Sequence, residues 1–246
     1  MKKLIFTLLA LVGTMSINAQ IIKVMKGEEV VATFTAEKAD KVVFEKMPEP
    51  PEGSIGTEKR NGDTEGRMVD VNWVQLWENG PKFAEYNVGA TSENEYGGYY
   101  CWGMAINKDP KGAYWRDDDI GDHDTATNLW GNNWRLPTSA ELYTLLNKCT
   151  MEWIDGEEKK YKNTNAKGYL FTGKDAFISN KVFLPTAGDC VFGYASGQGM
   201  HGDYWSSTYY SSTTSCFLYF DMNRLTVTTE DREYGFSVRA VLNENK

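Results

Sequence analysis

The sequence predicts an α+β fold. It carries one well-marked amphipathic helix, many apolar stretches of strand length, and long loops between them. A proline-rich stretch sets a small β segment at the front apart from a larger domain behind it. With 13% aromatic residues and 23 Gly in 246 residues, the composition suits a turn-rich domain with a real core.

Residues 1–19, MKKLIFTLLALVGTMSINA, read as a secretory signal peptide. Lys2 and Lys3 supply the positive start, Leu4 to Val12 the apolar stretch, and Ala19 the small residue before cleavage. That stretch is too short to cross a bilayer as a helix, which takes about 20 residues. The first cysteine is Cys101, so a lipid-anchored amino terminus is excluded. Residues 20–46 form a small β segment, with strands expected at Ile21–Met25, Val30–Phe34 and Lys41–Glu45. Residues 47–66, opening on Met47-Pro48-Glu49-Pro50-Pro51, read as a Pro/Gly-rich linker. The main domain then occupies 67–246. It opens with a strand over Met68–Trp77, a turn at Asn79-Gly80-Pro81 and a return over Lys82–Asn87. After a long loop, Thr125–Trp130 reads as a short helix, capped by Asp124 and ended by Gly131. Thr138 and Glu141 form a capping box, and Leu142, Leu145, Leu146 and Cys149 make one apolar face behind it. Further strands are expected at 151–154, 169–172, 181–184, 204–207, 216–221, 225–229 and 236–241.

The net charge is −8, and loss of Lys2 and Lys3 leaves the mature chain more acidic still. No basic field exists to collect phosphates, so nucleic acid is excluded as a partner. A coiled coil, a collagen and a polytopic membrane protein are excluded on composition, and no transmembrane segment is expected. Four cysteines permit two disulfides in three pairings, with burial as small apolar residues the alternative reading.

Several motifs fail their own structural tests. Gly197, Gly199 and Gly202 match G-x-G-x-x-G, but Tyr204-Trp205-Ser206-Ser207 behind them reads as strand, so no helix N-terminus meets a pyrophosphate. Asp117, Asp118, Asp119, Asp122 and Asp124 surround His123 without EF-hand spacing. A calcium-holding loop and a solvated acidic loop stay as alternatives. Two histidines exclude a His-rich zinc site, and Gly193-Tyr194-Ala195-Ser196-Gly197 lacks the nucleophile-elbow order. No carboxylate pair stands out. No cofactor, metal or catalytic residue is assigned. Tyr209, Tyr210, Ser211, Ser212, Thr213, Thr214 and Ser215 form a hydroxyl-rich run suited to adaptable recognition, or to an exposed hairpin loop.

Residues 82–91 (KFAEYNVGAT), 96–103 (YGGYYCWG), 130–138 (WGNNWRLPT), 183–188 (FLPTAG), 204–208 (YWSST) and 235–241 (GFSVRAV) together resemble the Fibrobacter succinogenes major paralogous domain. The similarity spans roughly residues 70–242 in the right order. The front segment resembles those of exported Bacteroidetes proteins, and Asp124-Thr125-Ala126 resembles their short O-glycosylation pattern. The resemblance implies a C-type-lectin-like fold, distantly similar to formylglycine-generating enzymes. It places Trp134, Leu136, Phe183, Trp205, Phe236 and Val238 in the core and gives Arg135 and Arg239 structural hydrogen bonds. The enzymatic relatives bind copper through a cysteine pair near the carboxyl end. Cys216 stands alone there, so formylglycine-generating activity is disfavoured. The chain is also similar to diversified lectin-like proteins whose variable residues precede a Gly-Phe-Ser-Val-Arg-like ending. That similarity implies ligand-binding positions at Asp203, Tyr204, Tyr209, Tyr210, Ser211, Thr213, Thr214, Asp221, Asn223 and Arg232.

The reading that follows is an exported, non-catalytic ligand-binding module, periplasmic or at the cell surface, for a glycan or protein. The alternatives are an enzyme acting on extracellular polymers and a structural component of a surface assembly.

Overall fold

The structure is a computed structural model, and it describes residues 20–26, 29–36, 48–62, 67–103 and 124–244. The chain divides into two units, residues 1–46 and 47–246. In the first, β1 (Gln20–Lys26) pairs antiparallel with β2 (Glu29–Ala36), with a register shift between Val24 and Met25. The signal peptide and the expected strand at 41–45 lie outside the described residues.

The second unit begins earlier than the sequence suggests. Ile55–Asn61, inside the stretch read as linker, is strand β3, and it pairs along its whole length with β4 (Met68–Gln75). The strand is hard to see in the sequence because its inward positions carry no large apolar residue. Gly56 lies under the Trp73 ring, where a Cβ would sit 2.4 Å from Cζ2. Arg60 is buried, with its guanidinium 5.3 Å from the Trp130 ring centre. Strand β5 (Lys82–Ala84) continues the sheet on the far side of β4.

Next come the helices. Helix α1 (Thr125–Trp130) starts where the Asp124 carboxylate accepts from Thr127 N at 2.9 Å, and it ends at Gly131, which adopts φ 95°. The same carboxylate accepts from Leu136 N at 2.6 Å, tying the cap to β6 (Trp134–Arg135) and the residue after it. Helix α2 (Ser139–Lys148) carries the full capping box: Glu141 N donates to Thr138 Oγ1 at 3.1 Å, and Thr138 N donates to Glu141 Oε2 at 2.7 Å. Arg135 then grips Glu141 with both terminal nitrogens, at 2.8 and 2.6 Å. Leu142, Leu145 and Cys149 are buried.

Three further sheets complete the unit. β7 (Thr150–Ile154), β8 (Gly168–Thr172) and β9 (Lys181–Pro185) form one antiparallel meander. β10 (Asp189–Val191) and β11 (Tyr194–Ser196) form a hairpin. β12 (His201–Tyr209), β13 (Thr214–Asp221) and β14 (Leu225–Asp231) form a second meander. β15 (Val241–Leu242) returns to lie between β5 and β6, giving a five-stranded sheet ordered β3-β4-β5-β15-β6. Of the expected strand 236–241, only Val241 enters a named strand. Phe236 and Ser237 make single bridges to Tyr100 and Tyr204.

This architecture corrects the α+β, C-type-lectin-like expectation. Among the described residues there are fifteen strands, in several antiparallel sheets, and only two α-helices of 6 and 10 residues. The core is filled from strands such as β4, β9, β12 and β13 together with loop residues such as Val88, Trp102, Phe236 and Val238, and outside α2 and short α1 no further α-helix contributes to it among the described residues. Trp134, Leu136, Phe183, Trp205, Phe236 and Val238 are all buried. No disulfide forms: Cys101, Cys149 and Cys190 are buried thiols and Cys216 is a partly exposed one. Burial pushes the Cys149 thiol up to about 12. No described helix is long and apolar enough to cross a membrane.

Behind the sheets lies one polar centre. Arg239 is buried, and its Nε donates to Asn87 Oδ1 at 2.9 Å. Its Nη1 donates to the carbonyls of Ala84 and Glu85, at 3.1 and 2.9 Å, and its Nη2 to that of Phe183, at 3.0 Å. Asn87 Nδ2 reaches Tyr96 O at 2.9 Å and Tyr204 Oη at 3.2 Å, and Tyr204 Oη donates to Pro185 O at 2.7 Å.

The α2 cap makes a pH prediction. Burial opposes ionisation of Glu141, yet the Arg135 fork and the Thr138 N–H outweigh it and hold its carboxyl below the ordinary glutamate value. Such a group stabilises the fold above its unfolded pKa, and the contribution is lost as pH falls through the folded value. Glu141→Gln keeps the capping geometry but removes the charge. It should cost about 1 kcal/mol in urea unfolding at pH 7. The gap to wild type should shrink as pH drops below the ordinary glutamate value of 4.5.

Candidate functional site

The ten residues implied as ligand contacts do not share one surface. In the β12–β13 pairing, His201 faces Asp221 at one end and Tyr209 faces Ser215 at the other. β12 carries a register shift between Trp205 and Tyr209, and the six rises from Ser215 to Asp221 on β13 still set the two ends roughly 20 Å apart. Tyr209, Tyr210, Ser211, Thr213, Thr214 and Arg232 gather at the β12–β13 turn. Asp203, Asp221 and Asn223 lie at the opposite end. Tyr204 belongs to the core: it is 1% exposed and stacks on Phe220 at 5.8 Å.

At the β12–β13 turn, Tyr209 and Tyr210 are 57% and 66% exposed, and Ser212 and Thr213 are exposed beside them. The hydroxyls of Ser211 and Thr214 lie 2.7 Å apart and close the turn on itself. Arg232 is buried between two rings, 4.2 Å from the Trp102 centre and 4.5 Å from that of Tyr209, and its Nε donates to Ser215 Oγ at 3.0 Å. It therefore holds the tyrosine in place and does not face solvent. At the other turn, the Asp221 carboxylate accepts from Asn223 N, Arg224 N and Tyr219 Oη, which hold it below the ordinary aspartate value. Those bonds fasten the β13–β14 turn.

A groove of about 920 Å³ lies elsewhere, between the β3–β4 edge and the β7–β9 meander. Its size falls in the range of ligand sites. Ile55, Trp73 and Val74 give it apolar and aromatic surface, and Leu170 and Tyr161, both largely buried, line its base. Trp73 is held over Gly56 with Lys82 Nζ 4.7 Å from the ring centre, and Tyr161 stacks on Phe183 at 4.4 Å. The polar lining is ordered in advance. Thr57 Oγ1 donates to Asn72 Oδ1 at 3.0 Å, and Asn72 Nδ2 donates to Glu85 Oε2 at 3.1 Å. Glu93 accepts from Tyr161 Oη at 2.8 Å and pairs with Lys162 Nζ at 2.5 Å. Burial, and after it the Glu93 carboxylate, drives the Tyr161 phenol well above its usual value. Lys160 and Lys181 add two ammonium groups. The sequence does not reveal this site because its residues come from eight separate stretches of chain. The one local signal was the exposed polar alternation at Asp70 and Asn72 on either side of buried Val71.

The carboxyl half brings together a third cluster, where the sequence assigned no metal. His201 and Asp203 sit two apart on β12, and Asp189 opens β10. A Gly188–Gly202 bridge joins the two stretches, with Gly188 N donating to His201 O at 2.8 Å. One ligand atom from each of Asp189, His201 and Asp203 lies within 4.8 Å of the others. His201 Nε2 stands 3.1 Å from Asp203 Oδ2. The Asp203 hydrogen bond raises the imidazole, and burial raises the Asp203 carboxyl. The glycine motif that failed as a dinucleotide site has its use here. The His201 ring lies where a Gly197 Cβ would project, 1.9 Å from Cε1, and a Gly202 Cβ would strike the Phe220 ring at 2.3 Å.

The remaining candidates resolve simply. Residues 117–123 of the acidic stretch lie outside the described residues, and Asp124 is the α1 cap. Thr125, in the short O-glycosylation pattern, is 1% exposed. No protein-family model, curated protein or solved structure matches the chain.

Gly197 and Gly199 both adopt left-handed backbone, at φ 67° and 77°, but only Gly197 has a ring against it. Alanine at Gly199 should cost about 1–2 kcal/mol from backbone strain alone. Gly197→Ala should cost clearly more, because the His201 ring must also move. Thermal melting of the two variants side by side gives the comparison.

Proposed function

We propose that the chain is an exported, non-catalytic binding module and that the groove beside Trp73 takes a stretch of a saccharide chain at the cell surface. The observation that carries this reading is the Thr57–Asn72–Glu85 network set next to Trp73 and Tyr161 in one groove. A sugar ring presents an apolar C–H face and a rim of hydroxyls that both donate and accept. Aromatic surface suits the first. A carboxylate and an amide already fixed in position, with lysine ammonium groups nearby, suit the second. Three lysines, Lys160, Lys162 and Lys181, face two glutamates, Glu85 and Glu93, in the groove lining, and the excess positive charge favours acidic saccharides. Export rests on the signal-like first 19 residues.

A second reading has its own observation. Tyr209 and Tyr210 project from a turn braced by Arg232, a rigid aromatic tip of the kind that anchors protein contacts.

Binding of the purified protein to a saccharide panel, followed by titration calorimetry on the tightest hit, separates the two. On the groove reading, Asn72→Ala and Glu85→Ala each weaken binding about tenfold, roughly 1.4 kcal/mol, with little change in Tm. Tyr209→Ala with Tyr210→Ala leaves it intact. Loss of binding only in the tyrosine double variant transfers the function to the turn, and absence of any saccharide binding overturns the proposal.

A further inference from the structure

We propose that Asp189, His201 and Asp203 bind a divalent transition-metal ion of the zinc class, with the remaining coordination position left to water or an incoming ligand. This site shares no residue with the groove.

The donor set is the first argument. One imidazole nitrogen and two carboxylate oxygens, mutually within 4.8 Å, match the ligands zinc takes at about 2.0–2.2 Å, after small side-chain adjustments. Calcium is the poorer fit, since it takes six to eight oxygens and three protein ligands with a nitrogen among them fall short.

Charge is the second argument, and it does not depend on the first. The Asp203 side chain is 5% exposed, and His201 Nε2 is the one donor it meets among the described residues. A carboxylate buried this deeply ordinarily collects several donors or a cation. Protonated His201 is the one cationic partner Asp203 meets among the described residues, neither Lys nor Arg pairs with Asp189 or Asp203 there, and Asp221 and Glu230 add negative field, so a metal ion takes the place of that proton. A cation completes that arrangement.

Orientation is the third. The His201 ring is held between Gly197 and the Tyr219 ring, which stacks on it at 6.0 Å, and Ser196 Oγ donates to Asp189 Oδ1 at 2.5 Å. Such outer contacts fix ligand direction in metal sites. The set was invisible in the sequence because its two aspartates lie on different strands and a single histidine makes no motif.

Titration calorimetry with zinc chloride on the chelator-stripped full chain tests the site. The expected result is one ion per chain and a raised Tm with zinc. His201→Gln and Asp189→Asn should each weaken binding at least tenfold, and His123→Gln should leave it unchanged. His201 and Asp189 are partly exposed, so these variants keep the test open should Asp203→Asn fail to fold. A wild-type chain that takes up no zinc, or zinc binding that survives in both variants, overturns the proposal.

Discussion

A guanidinium buried without a carboxylate partner among the described residues governs this structure. Arg239 has one way to stay charged inside the protein: its donors must find neutral acceptors close at hand. It finds four, from Ala84, Glu85, Asn87 and Phe183. Two of those carbonyls leave the five-stranded sheet and its extension, and one comes from β9. Through Asn87 and Tyr204 the same network reaches β12 and the Pro185 carbonyl. Three sheets that share no backbone ladder are thereby fixed against one another.

The two candidate sites hang on that centre. Glu85 gives its backbone carbonyl to Arg239 and its side chain to the groove network with Asn72. Phe183 gives its carbonyl to Arg239 and its ring to Tyr161, the aromatic wall of the groove. The groove thus lies in front of the tie that sets the spacing of its walls. On the far side, Tyr204 is the residue after Asp203. The bond from Tyr204 to Pro185 holds β12 beside the chain that leads through Gly188 to Asp189.

How much of this could be read from the residues differs by element. Helix α2 was legible because capping chemistry and a 3.6-residue apolar period agree at Thr138, Glu141, Leu142 and Leu145. Strand β3 was not, since Gly56 and Arg60 replace the apolar residues that mark a half-buried strand. The β10–β11 hairpin hid behind Phe192, which takes a left-handed φ of 51° that a bulky residue seldom adopts. The α+β expectation failed because strand length and loop length do not reveal how many short segments will pair. Among the site residues, exposure of Tyr209 and Tyr210 followed from their hydroxyl-rich surroundings. Burial of Tyr204 and Asp203 did not, because the first part of β12 is covered on both faces and shows no alternation. Register then placed the two loops at opposite ends, and register is a property of pairing that one strand's sequence does not contain.

Replacing Arg239 with methionine is the most direct measurement of the Arg239 tie. Removing the guanidinium strands four acceptors, three of them in fully buried bonds, each costing about 1–3 kcal/mol when buried and unpaired. Urea unfolding of Arg239→Met should show a loss of more than ~3 kcal/mol, or no cooperative transition at all. A loss below about 1 kcal/mol, with cooperative unfolding retained, would show that the sheets are held by apolar packing alone and would contradict the account.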